Sequence, residues 1–139
     1  MTITAGVDHA TATRLSGALA DVFTRADVGD VFTSDLFLDG NPPLWRFQLD
    51  SADAFASWLT GYAPHGIPTE VVRVVPTASG FVTELADRVE HDGDVVTSRK
   101  IILCEVRDGR ISEMTIYCSG DWDEDLRRRH AEEETLLRP

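Results

Sequence analysis

The chain has 139 residues, 42% of them apolar, with 24 acidic residues against 13 Lys and Arg and a formal net charge of −11. This composition predicts one domain over residues 1–139 and excludes disorder over most of its length. A surface of this sign repels phosphate, so neither nucleic acid nor an anionic membrane is an expected partner. The longest unbroken apolar run, Ile101–Cys104, is far too short to span a bilayer. Met1–Gly6 shows no secretory leader pattern. Cys104 and Cys118 are too few for a disulfide framework and read as reduced thiols of a cytoplasmic protein.

Residues 8–26 predict a helix, because Ala12, Leu15, Leu19, Val22 and Phe23 recur at three- and four-residue spacing. Asp27–Asp30 ends it, with Gly29 suited to a left-handed turn. Asp35–Asp39 reads as a short strand stopped by Gly40-Asn41-Pro42-Pro43. Leu44–Leu49 alternates, with Trp45, Phe47 and Leu49 on one side and Arg46 and Gln48 on the other. Ser51 caps a second helix whose apolar stripe is Phe55, Trp58, Leu59 and Tyr62, and Pro64-His65-Gly66 stops it. Thr69–Val75 is followed by longer strands over Phe81–Glu90, Val95–Val106 and Ile111–Cys118. Ser119-Gly120 leads into a charged helix over Asp121–Glu134, the start of the C-terminal segment 121–139.

Turn chemistry sets which side chains share a face. Asp108-Gly109 suits a two-residue hairpin that pairs Val106 with Ile111, Leu103 with Met114 and Ile101 with Ile116. Ile101, Leu103, Met114 and Ile116 then form the inner face. The preceding strand has the stripe Phe81, Leu85 and Val89, interrupted by Asp87. Both stripes face inward only if the loop at Asp92-Gly93 has an odd number of residues, and a three-residue loop with Gly93 in the left-handed region is expected. On that parity Asp87 and Arg99 lie inside within ion-pair reach, roughly 4 Å, with Cys118 beside Arg99. The outer face carries Lys100, Ile102, Cys104 and Val106 beside Ile111, Thr115 and Tyr117, too apolar for open solvent, so a homodimer is expected. A two-residue loop would instead take Asp87 to the face of Lys100 and Tyr117, leave Asp39 alone, and favour binding over catalysis.

The element order is helix, short hairpin, helix, four-stranded antiparallel meander and terminal helix. It predicts an α+β fold: a cone-shaped curved antiparallel sheet wrapped around helices, with an internal cavity. Trp45, Tyr62, His65 and Trp122 are expected at its mouth, and Leu85, Ile101, Leu103, Met114, Ile116 and Cys118 along its lining. His9, His65, His91 and His130 show no metal-ligand spacing, so no metal is expected.

Three stretches carry a family resemblance: Ala26-Asp27-Val28, Phe37-Leu38-Asp39, and Asp108-Gly109-Arg110-Ile111 to Tyr117. With the element order, they make the chain resemble the nuclear-transport-factor-two-like superfamily in its SnoaL-like branch, which includes ketosteroid isomerases, limonene epoxide hydrolases and polyketide cyclases. Tyr117-Cys118-Ser119-Gly120-Asp121-Trp122 is similar to small members with the same helical tail. The resemblance implies a cystatin-like cone, an apolar small-molecule substrate or ligand, and a homodimer. Asp39 falls where ketosteroid isomerases carry their general base, a carboxylate tuned by an apolar cavity. Their helix tyrosine falls at Leu19 and their sheet acid is missing from Ile101–Cys104, which argues against steroid isomerisation. Asp87 and Arg99 beside Asp39 resemble the epoxide hydrolases, although Leu85 stands where that pattern has arginine.

Two function classes follow. In an acid–base enzyme, a cyclase or isomerase of a polyketide-like or terpenoid-like substrate or an epoxide hydrolase-like enzyme, Asp39 is the proton acceptor. Asp87 is then the proton shuttle or water orienter and Arg99 the electrostatic partner, and no cofactor is implied because such chemistry needs only proton transfer and positioning. In a non-catalytic binding module, Asp39 caps a turn and Asp87–Arg99 is a cross-strand ion pair.

Overall fold

A computed structural model describes residues 6–138. The elements run α1 (His9–Arg25), β1 (Phe32–Asn41), β2 (Phe47–Leu49), α2 (Ala52–Tyr62), β3 (Thr69–Pro76), β4 (Gly80–His91), β5 (Asp94–Arg107), β6 (Arg110–Cys118) and α3 (Glu124–Glu133). The strands form one mixed sheet in the order β2-β1-β6-β5-β4-β3. The meander β3–β6 is antiparallel as expected, but β1 lies parallel to β6, with Leu38 opposite Met114. The sheet is therefore mixed rather than wholly antiparallel. Its edges, β2 and β3, stay apart, so it curves without closing.

Local chemistry sets the helix ends. Asp8 accepts the Thr11 N–H at 2.7 Å at the start of α1, and Ser51 accepts the Ala54 N–H at 3.0 Å at the start of α2. Ala26, at φ 53°, is the left-handed residue that ends α1, and Gly29, three residues on, is left-handed as expected, also at φ 53°. The α1 stripe Ala12, Leu15, Leu19, Val22 and Phe23 is buried as its spacing predicts. α1 lies across β3 and β4, and α2 lies on β1. Phe55, fully buried, joins the layers by meeting Phe23 at 6.1 Å and Phe32 at 5.4 Å. A buried phenylalanine contributes about 2–3 kcal/mol. The Ser16 and Thr83 hydroxyls bond each other in the core, and Thr83 donates to the Arg73 carbonyl at 3.1 Å, tying α1 to β4 and β3.

Two turns correct the expected register. At Asp92-Gly93 the hairpin has two residues, not three: His91 pairs with Asp94, and Asp92 and Gly93 take φ 52° and 80°. Two consecutive positive φ angles match the right-handed twist of the flanking strands, and Asp tolerates the first of them. This reverses the expected parity of β5. Ser98, Lys100, Ile102 and Cys104 turn inward, while Ile101 and Leu103 are 49% and 46% exposed on the outside.

The Asp108-Gly109 hairpin has two residues as expected, and Val106 pairs with Ile111. Beyond it a bulge at Ser112 shifts the pairing, so Leu103 faces Thr115 and Ile101 faces Tyr117, not Met114 and Ile116. The extra residue lets Ile111 and Met114 both point inward, and Ile116 follows on the same side. Ile102, Cys104 and Ile111, expected on the outer face, belong to the core.

Candidate functional site

The reversed parity assembles a polar cluster on the inner face of the sheet. Thr69, Asp87 and Ser98 lie opposite one another in a single row across β3, β4 and β5. One step along β5, Lys100 pairs with Leu85 on one side and Cys118 on the other. The Asp87 carboxylate receives the Thr69 hydroxyl at 2.7 Å and the Ser98 hydroxyl at 3.0 Å, and it forms an ion pair with the Lys100 ammonium. Lys100 Nζ also lies 5.1 Å from the centre of the Phe23 ring, a cation–π contact. A buried carboxylate needs this matching because an unpaired charge in the core is costly.

The two partners differ in depth. The Asp87 side chain is 3% exposed and that of Lys100 is 14% exposed, so the ammonium is the member nearer solvent. Burial pushes the Lys100 ammonium below the ordinary lysine range, while Cys118 and Asp121 act in the opposite direction. Asp121 also receives the Tyr62 hydroxyl at 3.3 Å. Burial and the Asp121 charge raise the pKa of Tyr62. Lys100, Cys118, Asp121 and Tyr62 thus lie together where α2 meets the chain leaving β6.

The expected Asp39–Asp87–Arg99 triad does not converge. Leu38 and Gly40 point inward, so Asp39 faces out, where Arg46 holds it through two bonds of 2.8 Å. That guanidinium keeps the Asp39 carboxyl below its ordinary range, opposite to the tuning a general base needs. Arg99 also faces out and pairs with Glu84 at 3.1 Å, which Arg73 shares at 3.1 Å. The neighbour of Cys118 is accordingly Lys100, not Arg99.

Among the expected lining residues, Leu85, Met114 and Ile116 are buried in the core, whereas Ile101 and Leu103 lie outside. Trp45 is 72% exposed and His65 is exposed on its loop. Trp122 is half-buried and pairs its backbone with Thr97, at 2.7 and 3.0 Å. The interior is filled by Phe55, Phe81, Leu19, Leu36, Leu85 and Ile102. A groove of about 320 Å³ opens instead beside β5 and β6, lined by the outward Glu84, Arg99, Ile101, Tyr117 and Ser119 and also by Lys100 and Cys118. Among the described residues no cluster of metal-ligating side chains occurs, and no helix is long and apolar enough to cross a membrane.

Lys100, Ser98, Thr69 and Asp121 are the site residues that the sequence reading missed. The signal was present: Asp-Gly is the preferred two-residue hairpin dipeptide, and applying it at Asp92-Gly93 as at Asp108-Gly109 turns Lys100 inward.

No family model matches the sequence, and no curated protein matches it. Solved structures do. An NTF2-like protein from Anabaena variabilis superposes with a TM-score of 0.66 at 17% identity, covering 81% of this chain and 89% of that one. The chain has the nuclear-transport-factor-two-like fold. An LEH-like epoxide hydrolase from M. tuberculosis shares this fold with a TM-score of 0.64 at 19% identity, over 79% of this chain and 84% of its own. A protein from Jannaschia sp. CCS1, assigned as a SnoaL-like polyketide cyclase, gives 0.61 at 12% identity over 94% and 99%. Identities this low carry the nuclear-transport-factor-two-like scaffold across and leave the chemistry to the site itself.

Proposed function

We propose that the chain binds a small, largely apolar molecule at the mouth of the cone, with Lys100 as the polar anchor and Asp87 as the group that holds it. The observation that carries this reading is the buried Lys100–Asp87 pair on the inner face, whose lysine is the more exposed partner and also lines the groove beside β5 and β6. An ammonium paired with one carboxylate, itself fixed by the Thr69 and Ser98 hydroxyls, has donors left for a ligand carbonyl or hydroxyl. The exposed rings and side chains of Tyr62, Tyr117 and Ile101 suit an apolar body. Fold neighbours that include an epoxide hydrolase and an assigned polyketide cyclase are consistent with a small-molecule site in this scaffold.

One observation favours a second reading, acid–base catalysis. Burial makes the Lys100 ammonium a readier proton donor than an exposed lysine. In that case Lys100 gives a proton to a substrate oxygen, as in cyclisation, isomerisation or epoxide opening, and Asp87 positions it. Asp39 and Arg99 take no part, because both face away. For the assembly, we propose a homodimer through the outer sheet face, whose centre is Phe37, Ile101, Leu103 and Tyr117 and whose margins hold the Arg46–Asp39 and Arg73–Glu84–Arg99 ion pairs. An apolar centre with a charged rim is the usual anatomy of such an interface.

The test is a screen of apolar metabolites bearing one carbonyl or hydroxyl, the terpenoid ketone carvone among them, for saturable binding. Turnover assays then follow with Lys100→Met, Asp87→Asn and Asp39→Asn. Binding lost in Lys100→Met and kept in Asp39→Asn supports the anchor; turnover lost in the same pattern supports catalysis. Binding indifferent to Lys100→Met overturns both readings.

A further inference from the structure

Lys100 is the one lysine among the 13 Lys and Arg residues of the chain. Every arginine is exposed except Arg127, which is half-buried, whereas the Lys100 side chain is largely buried. Its partner Asp87 is the only buried acid among the described residues. The chain therefore uses arginine at each exposed basic position and lysine where a cation meets a buried carboxylate.

A purely structural pair does not explain that choice. Arginine grips a carboxylate through two parallel hydrogen bonds and stacks on aromatic faces. Both partners are present here, Asp87 for the ion pair and the Phe23 ring 5.1 Å from Nζ. What lysine adds is a proton that it can lose. A guanidinium stays charged in proteins, while a desolvated ammonium gives up its proton and becomes a nucleophile.

The surroundings of Nζ favour that step. Burial against the Phe23 ring pushes the ammonium below the ordinary lysine range, with Cys118 and Asp121 acting against it. The Asp87 carboxylate is in contact to take the proton, and the Thr69 and Ser98 hydroxyls hold it at 2.7 and 3.0 Å. Lys100 also lines the groove of about 320 Å³ beside β5 and β6, a volume that admits a small ring.

We propose that Lys100 condenses with the carbonyl group of a small apolar aldehyde and holds it as an imine. The assignment rests on the reading of Lys100 as the anchor of a small-molecule site and adds the functional group that it takes. The ammonium passes one proton to the Asp87 carboxylate, and the freed amine adds to the carbonyl carbon. A second nitrogen proton moves to the former carbonyl oxygen, giving a hydroxyl. Asp87 returns its proton to that hydroxyl, which leaves as water while the C=N bond forms. The product is a protonated imine. It carries the same single positive charge as the ammonium, so the buried Asp87 carboxylate keeps its counter-ion throughout.

The test is reductive trapping on the full chain with benzaldehyde and sodium cyanoborohydride at neutral pH, read by peptide mass mapping. Hydride adds to the imine carbon and leaves a benzyl group on the nitrogen. The chain has two kinds of amine, Lys100 Nζ and the α-amine, so the second is an internal reference. At neutral pH an ordinary lysine is unprotonated in under about one molecule in a thousand and an α-amine in about one in ten. An ordinary lysine is therefore the slower of the two. Lys100 is expected to be benzylated at least about tenfold faster than the α-amine, at a rate that saturates with benzaldehyde. Unfolding in urea is expected to reverse the order. Benzylation of Lys100 no faster than that of the α-amine, a rate that never saturates, or an advantage that survives urea overturns the assignment. If carvone binds in a Lys100-dependent manner while Lys100 is not the faster amine, this assignment alone falls. If Lys100 fails in both experiments, the small-molecule site falls with it.

Discussion

Asp87 and Lys100 are each costly to bury alone and are tolerated together. Replacing Lys100 by Met leaves the Asp87 carboxylate in the core without its cation, and urea unfolding is expected to show a loss of about 3 kcal/mol. The double variant Asp87→Leu with Lys100→Met is expected to recover most of it, because removing both charges removes the mismatch. Arg99→Met, outside, should cost under about 1 kcal/mol. Asp39 makes a different prediction. Arg46 holds its folded pKa below the ordinary value of 3.8, so its contribution to stability is present above that value and lost as pH falls through the lower, folded one. Asp39→Asn is therefore expected to lower stability slightly at neutral pH, where that contribution is present, and to flatten the acid limb below pH of about 4, where the parent chain loses it. The inward position of Asp87 was legible in the stripe Phe81, Leu85 and Val89. Its partner was not, because the side of the sheet a β5 residue takes depends on one residue in the turn before it.

At the scale of elements, every helix and strand was legible from periodicity and capping, with ends displaced by a few residues. β1 and the two central hairpins carry the exceptions. The β1–β6 pairing is parallel and joins segments far apart in sequence, so no local pattern reports it. The bulge at Ser112 exists because Ile111 and Met114 must both reach the core, a demand that arises only once α1 and α2 are packed. Glycines at two hairpins separate backbone conformation from packing. Gly93 has φ 80° and open space around it, so Gly93→Ala should cost about 1 kcal/mol, from conformation alone. A Cβ on Gly80 would press into the Cys104 carbonyl, so Gly80→Ala should cost more than about 2 kcal/mol. Thermal melts of the two variants check the order; equal shifts would contradict the close β4–β5 approach.

For the molecule as a whole, the curved sheet has two faces with different work. The outer one presents Ile101, Leu103, Tyr117 and Phe37, and the proposed dimer covers it. Leu103→Asp with Ile101→Asp is expected to give a monomer mass in light scattering at micromolar concentration where the parent chain gives twice that mass. A parent chain that is already monomeric would remove the dimer. The inner face holds the Lys100–Asp87 pair under Tyr62 and Asp121, and the functional account depends on small molecules entering there rather than on the apolar centre of the outer face. Mapping NMR chemical-shift changes on the full chain with carvone distinguishes the two faces. The account predicts shifts at Phe23, Trp58, Tyr62 and Asp121 that saturate together; shifts confined to Phe37, Leu103 and Thr115, or none at saturating carvone, would contradict it.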